Sequence, residues 1–193
     1  MAEVPIFDAG LGDGKQWADK ALEGKHKGPL SVGDAQVNLG LVPHPSLFES
    51  GYDRATIRAT NFRVSAGYAR AIALSIANSP AITALEFSSA GLDAAALAIV
   101  VAAVPGSAVR RLHVDFNGGD LDAGTLSALV SLPIDALSLR GNGLGPTGAA
   151  LIAERLISDC PALASLSLFR NNLGDDGCRA VLRALRFNRS LRH

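Results

Sequence analysis

The chain has 193 residues, a formal net charge of zero, 48% apolar residues and only 5% aromatics. The apolar fraction excludes a wholly disordered chain, the shortage of aromatics favours close-packed aliphatic layers over an aromatic-lined cleft, and the neutral balance offers no global attraction for nucleic acid or anionic lipid. The length suits one domain with a substantial core, or one domain plus an appendage.

Residues 1–53 do not repeat and read as an irregular leader. The opening MAEVPIFDAG has neither a basic n-region nor an apolar h-region, so it does not read as a signal peptide. A short helix is expected around Gln16–Glu23 and a strand-like run at Gln36–Val42, stopped by Pro43 and Pro45. The segment GLGDGKQ (10–16) looks faintly like a phosphate loop. However, Ala9 stands where that pattern needs glycine, and Gln16 stands where it needs Ser or Thr. No nucleotide or other cofactor is expected there. Ile6, Phe7, Trp17, Leu22, Leu41 and Leu47 give the leader apolar groups with which to cap whatever follows.

From Arg54 the chain repeats itself. Starts fall at Arg54, Ile82, Val109, Ile134 and Leu163, spaced by 28, 27, 25 and 29 residues, and Leu191 lies 28 beyond the last. Within each copy apolar residues recur at the first, fourth, sixth, ninth and eleventh offsets and then every fourth residue. The period therefore changes from strand-like to helical. Leu166, Leu168, Asn171, Leu173, Gly177, Val181 and Leu185 show it most cleanly. The third copy has two extra residues between Asn117 and Leu121, so a distorted turn is expected at Gly118–Asp120. Pro80, Pro105, Pro133 and Pro161 each stand shortly before the next start, where they stop one helix ahead of the next strand. The run Ala94–Val104 has eleven apolar residues against the ~20 of a membrane span, and reads as a buried helix. A unit this small cannot bury its own apolar face, so the copies must stack, with their strands side by side in a parallel sheet and their helices on its other face. Asn117, Asn142 and Asn171, at the ninth offset, are placed to turn the chain and satisfy backbone groups there.

The segments Leu137-Ser-Leu-Arg-Gly-Asn142-Gly-Leu144-Gly-Pro-Thr-Gly148 and Leu166-Ser-Leu-Phe-Arg-Asn171-Asn-Leu173-Gly-Asp-Asp-Gly177 carry the pattern LxxLxLxxNxLGxxG. The pattern resembles the leucine-rich repeat family and, with its long period and full helix, the ribonuclease-inhibitor-like class within it. The resemblance covers residues 54–193. It implies an α/β fold, a right-handed solenoid of about five repeats with a curved parallel sheet on the concave side and helices on the convex side. It also implies a non-catalytic protein-interaction scaffold. Alternatives within the same resemblance are a regulator of a small GTPase or other enzyme, and a structural subunit of a large cytoskeletal, ciliary or organellar assembly. The implied partner is another protein; no nucleic acid, membrane or small-molecule substrate is expected.

The surface for such a partner follows from the strand period. Third, fifth and seventh positions, and in part the eighth, face away from the helices. The third column is Thr56, Ala84, Arg111, Ala136 and Ser165, and the fifth is Arg58, Glu86, His113, Ser138 and Ser167. The seventh is Thr60, Ser88, Asp115, Arg140 and Phe169, and the eighth is Asn61, Ser89, Phe116, Gly141 and Arg170. Five strands ~4.8 Å apart span about 19 Å, room for one helix or one edge of a partner. Phe116 and Phe169 are large aromatics where the period demands exposure, and anchors of that kind dominate interfaces. Arg111, His113, Asp115, Phe116, Arg140, Phe169 and Arg170 are the expected contact patch.

No catalytic or metal-binding constellation is legible. His26, His44, His113 and His193 have no second ligand at metal spacing, there is no GxSxG, and His113 with Asp115 has no nucleophile beside it. Cys160 and Cys178 read as small packing residues at opposite helix ends, too far apart for a disulfide. With no secretory signal, two cysteines suit a reducing compartment, and a cytoplasmic protein is expected; cytoskeletal or ciliary placement follows only from the resemblance. Residues 81–136 carry two basic against six acidic residues, a balance of −4, and residues 170–193 six against two, a balance of +4. Arg179, Arg183 and Arg186 read as the solvent face of an amphipathic helix whose apolar face is Val181, Leu182 and Leu185. Because Leu191-Arg192-His193 begins another copy, the array is expected to continue beyond the chain end or to have that end covered by a partner.

Overall fold

A computed structural model describes residues 55–118, 121–158 and 162–193. The leader, with its expected helix, strand and capping role, lies outside the described residues, as do Cys160 and Pro161. Strands and helices alternate: β1 (Thr56–Thr60), α1 (Ala66–Asn78), β2 (Ala84–Ser88), α2 (Ala94–Ala103), β3 (Arg111–Asp115), α3 (Ala123–Val130), β4 (Ala136–Ser138), α4 (Gly145–Ser158), β5 (Ser165–Ser167) and α5 (Gly174–Leu185). The strands form one parallel sheet in sequence order, and each helix packs on the next.

The register follows the repeat offsets. Ile57, Leu85, Leu112, Leu137 and Leu166 are Cα partners across the sheet, and so are Arg58, Glu86, His113, Ser138 and Ser167. Fourth- and sixth-position residues point at the helices. Ile57, Ala59, Leu85, Phe87, Leu112, Val114, Leu137 and Leu139 are buried there, against Ile72, Ile76, Leu97, Val100, Leu129, Ile152 and Leu156. Each large aliphatic group so buried contributes about 1.5–3 kcal/mol of transfer free energy, which holds sheet and helices together. The helices stop where the prolines require: α1, α2 and α3 end shortly before Pro80, Pro105 and Pro133. α2 starts on Asp93, whose carboxylate accepts from the Ala96 N–H at 2.8 Å, and α3 on Asp122, which accepts from the Thr125 N–H at 2.7 Å. The run expected as a buried helix is a helix over Ala94–Ala103 buried on one side only, through Ala96, Leu97, Val100 and Val101, while Ala94, Ala95, Ala98 and Ala102 are exposed. No described helix is long and apolar enough to cross a membrane.

The asparagines form a ladder where the strands turn. Asn171 Nδ2 donates to the carbonyl of Leu139 (2.7 Å), and its Oδ1 accepts from the N–H of Asn142 (2.9 Å). Asn142 repeats this with the carbonyl of Val114 (2.6 Å) and the N–H of Asn117 (3.0 Å). Asn117 repeats it with the carbonyl of Phe87 (3.1 Å) and the N–H of Ala90 (2.8 Å). Asn117 keeps its place despite the two-residue insertion. Gly118, directly after it, has a φ of 74°; residues 119–120 of the expected distorted turn lie outside the described residues. In the first copy the ninth position is Phe62, which packs edge-on against Tyr68 with ring centroids 5.1 Å apart. There a backbone bond from Val64 N–H to the Ala90 carbonyl (2.8 Å) replaces the rung.

Several expectations need correction. Thr56 and Ala84, expected on the open face, are buried; Ala84 is flanked in register by Thr56 and Arg111 on the neighbouring strands. Ser138 is buried because its hydroxyl donates to Asp115 Oδ1 at 2.7 Å. Cys178 is exposed, not a packing residue. Its counterpart Ala149 in α4 is buried under α5, and no described helix lies over Cys178 in turn. The apolar side of α5 is open for the same reason, with Leu182 63% and Leu185 42% exposed.

Candidate functional site

The open face of the sheet is built by its turns. The eighth residue of every copy, Asn61, Ser89, Phe116, Gly141 and Arg170, has a left-handed backbone with φ between 50° and 66°. Only one of the five is glycine, so the other four carry a side chain in a region L-residues avoid. The strain is held by the next strand. Asn61 N–H donates to Ser88 O (3.0 Å), Ser89 N–H to Asp115 O (3.0 Å), Phe116 N–H to Arg140 O (2.7 Å) and Gly141 N–H to Phe169 O (2.9 Å). This geometry swings the seventh and eighth side chains out at the carboxyl ends of the strands.

The residues expected to form the contact patch fall into two groups. At the carboxyl ends Phe116, Arg140, Phe169 and Arg170 come together. Phe169, 56% exposed, lies between two guanidinium groups, Arg140 at 5.2 Å and Arg170 at 5.5 Å from its ring centroid. Neither has an ion-pair partner among the described residues, so each keeps its charge for an outside group. Phe116, 40% exposed, lies on Gly141, where a Cβ would overlap its ring. Asp115 belongs to this group as a support: besides Ser138 it accepts from the Arg140 N–H at 2.9 Å, fixing the backbone that carries Arg140.

Arg111 and His113 belong to the second group, lower on the strands beside Glu86. Glu86 accepts from Arg58 Nε at 2.6 Å, a pair outside the expected contact patch although both residues stand next to each other in the fifth column. The Arg58 hydrogen bond holds the Glu86 carboxyl below the ordinary carboxylate range; partial burial opposes it, and the charges of Arg58, His113 and Arg111 add to the lowering. In the second group Glu86 is taken up by Arg58, whereas the first presents two unpaired guanidinium groups around an exposed ring. No group of three or more His, Cys, Asp or Glu side chains able to hold a metal occurs among the described residues.

Residues 134–153 and 159–182 match the family model described as Leucine Rich repeat. The match covers the two copies with the cleanest pattern, and together with the parallel five-strand sheet it supports an α/β solenoid of leucine-rich repeats. No curated protein matches the chain. Leucine-rich repeat domains are generally protein-interaction modules and typically lack enzymatic activity.

Proposed function

We propose that the chain is a non-catalytic interaction scaffold of the ribonuclease-inhibitor-like class, a right-handed curved solenoid of about five repeats. It engages another protein through the carboxyl-end part of its strand face and works in the cytoplasm. The observation that carries this reading is Phe169 held open between the unpaired guanidinium groups of Arg140 and Arg170. An exposed aromatic is a hot-spot side chain, and flanking charge orients the partner that buries it. Phe116 extends the apolar surface, Asp115 stiffens it, and Arg111 with His113 forms its lower margin.

The test is quantitative capture from cell extract with the intact chain and with Phe169→Ala. The variant keeps the helical circular dichroism of the parent and loses its partner by about 2 kcal/mol of binding free energy, a drop of roughly thirtyfold. Equal capture by both proteins would remove the strand face from the account.

A further inference from the structure

We propose, resting on the strand face as the binding surface, that its occupant is an acidic amphipathic helix of the partner protein, laid across the carboxyl ends of β3, β4 and β5. Charge is the first observation. Arg140 and Arg170 flank the Phe169 ring and have no ion-pair partner among the described residues. Asp115 is the one carboxylate in residues 115–117, 140–142 and 169–171, which together carry +1. It accepts from the Ser138 hydroxyl and the Arg140 backbone N–H, at 2.7 and 2.9 Å, and leaves both guanidinium groups unpaired. A carboxylate brought here meets a guanidinium beside an exposed ring, whereas a basic side chain meets repulsion.

The openness of this surface does not come from a sheet edge. β3 and β4 each have a strand on both sides, yet Phe116, directly after β3, is 40% exposed, and Arg140, after β4, is exposed as well. Their side chains stand off the face of the sheet, where a neighbouring strand does not cover them.

Backbone bonding selects the shape of the occupant. Phe116 N–H already donates to the Arg140 carbonyl (2.7 Å), and Gly141 N–H to the Phe169 carbonyl (2.9 Å). An extended segment crossing these strand ends finds those donors taken, and main-chain pairing is what gives an added strand its affinity. A helix bonds its own backbone and engages through side chains alone. Spacing agrees. Phe116, Arg140 and Phe169 come from three successive copies, with a step of ~4.8 Å between strands. Residues three or four apart on a helix face are ~4.5–6 Å apart along its axis, while alternate residues of an extended chain are ~6.6–6.8 Å apart. A helix with an apolar residue at i, a carboxylate at i+3 or i+4 and a second apolar residue at i+7 meets Phe116, Arg140 and Phe169 in turn.

The probe is a fluorescein-labelled, alanine-based helical peptide of about 18 residues, with leucine at i and i+7 and glutamate at i+3 and i+4. One control replaces glutamate by lysine; another sets the same residues in alternation, as a strand would need them. The 193-residue protein is expected to bind the glutamate helix and to prefer it about tenfold or more over either control, with affinity falling as salt rises. Arg140→Gln, which keeps the backbone bond to Asp115 and the parent's melting temperature, should weaken the glutamate helix about tenfold and the lysine helix not at all. No binding of the glutamate helix, equal binding of the lysine helix, or tighter binding of the alternating peptide would overturn the proposal. The strand face itself would then still stand on loss of the extract partner by Phe169→Ala. Binding of the glutamate helix that neither Arg140→Gln nor Phe169→Ala weakens would overturn it too, by seating the helix elsewhere.

Discussion

Asn142 has little freedom to change. It is 2% exposed and joins three copies at once, accepting from Asn117, donating to Val114 and donating its own N–H to Asn171. Removing its amide leaves a buried carbonyl and a half-buried N–H unpaired, a loss of about 1–3 kcal/mol for the first and less for the second. Asn142→Ala is therefore expected to lower the unfolding free energy by about 2–4 kcal/mol in urea titration, and Asn117→Ala, at a half-buried rung, by less. A second residue-scale effect concerns acid. The folded state lowers the Glu86 pKa, so its ion pair with Arg58 stabilises the fold above the ordinary carboxylate range, and this is lost as pH falls through the lowered value. Arg58 is more than half exposed, which limits the pair to about 0.2–1 kcal/mol. Glu86→Gln should melt below the parent at neutral pH, and the gap should close in acid; a gap unchanged down to low pH would contradict the assignment.

At the scale of the element, the strand-to-helix turn is the unit that sequence pattern reveals and also conceals. The offsets locate every strand, since Leu112 and Val114 or Leu137 and Leu139 alternate towards the helices as their spacing requires. They also place the asparagines, whose amides then form the expected bonds. Burial on the open face is less legible, because it depends on the neighbouring strand. Ser138 is covered by a carboxylate two positions along on β3, and no periodicity within β4 encodes that. The left-handed eighth position is hidden for a related reason: Asn, Ser, Phe, Gly and Arg occupy it in turn, so composition gives no signal, and the inter-strand bond enforces the backbone. Gly141 alone needs glycine twice, for its φ of 66° and for the ring of Phe116 above it. Gly141→Ala should destabilise by about 1–3 kcal/mol and displace Phe116. Gly106→Ala, at φ 84° with open space around it, should lose only the backbone preference, about 1–2 kcal/mol. Equal losses, with Phe116 unmoved, would mean that the ring does not rest on Gly141.

The whole molecule is a row of units in which each strand is completed by the next, and this ordering produces its polarity. Arg58 on β1 pairs with Glu86 on β2, whereas Arg140, Arg170 and Arg183 have no ion-pair partner among the described residues towards the β5 end. The aromatic anchors lie at the carboxyl ends of the strands, on β3 and β5 with Arg140 between. From the sequence these residues could be named as exposed columns, but not sorted into the group gathered around Phe169 and the group beside the Arg58–Glu86 pair. That distinction rests on distances across strands, and it is what concentrates the proposed binding on Phe116, Arg140, Phe169 and Arg170. The most direct test is amide hydrogen exchange of the chain with and without the partner it captures. The account predicts protection centred on residues 115–117, 140–142 and 169–171, with the outward faces of α1 to α3 unchanged. Protection confined to those helices, with the strand ends exchanging as in the free protein, would contradict it.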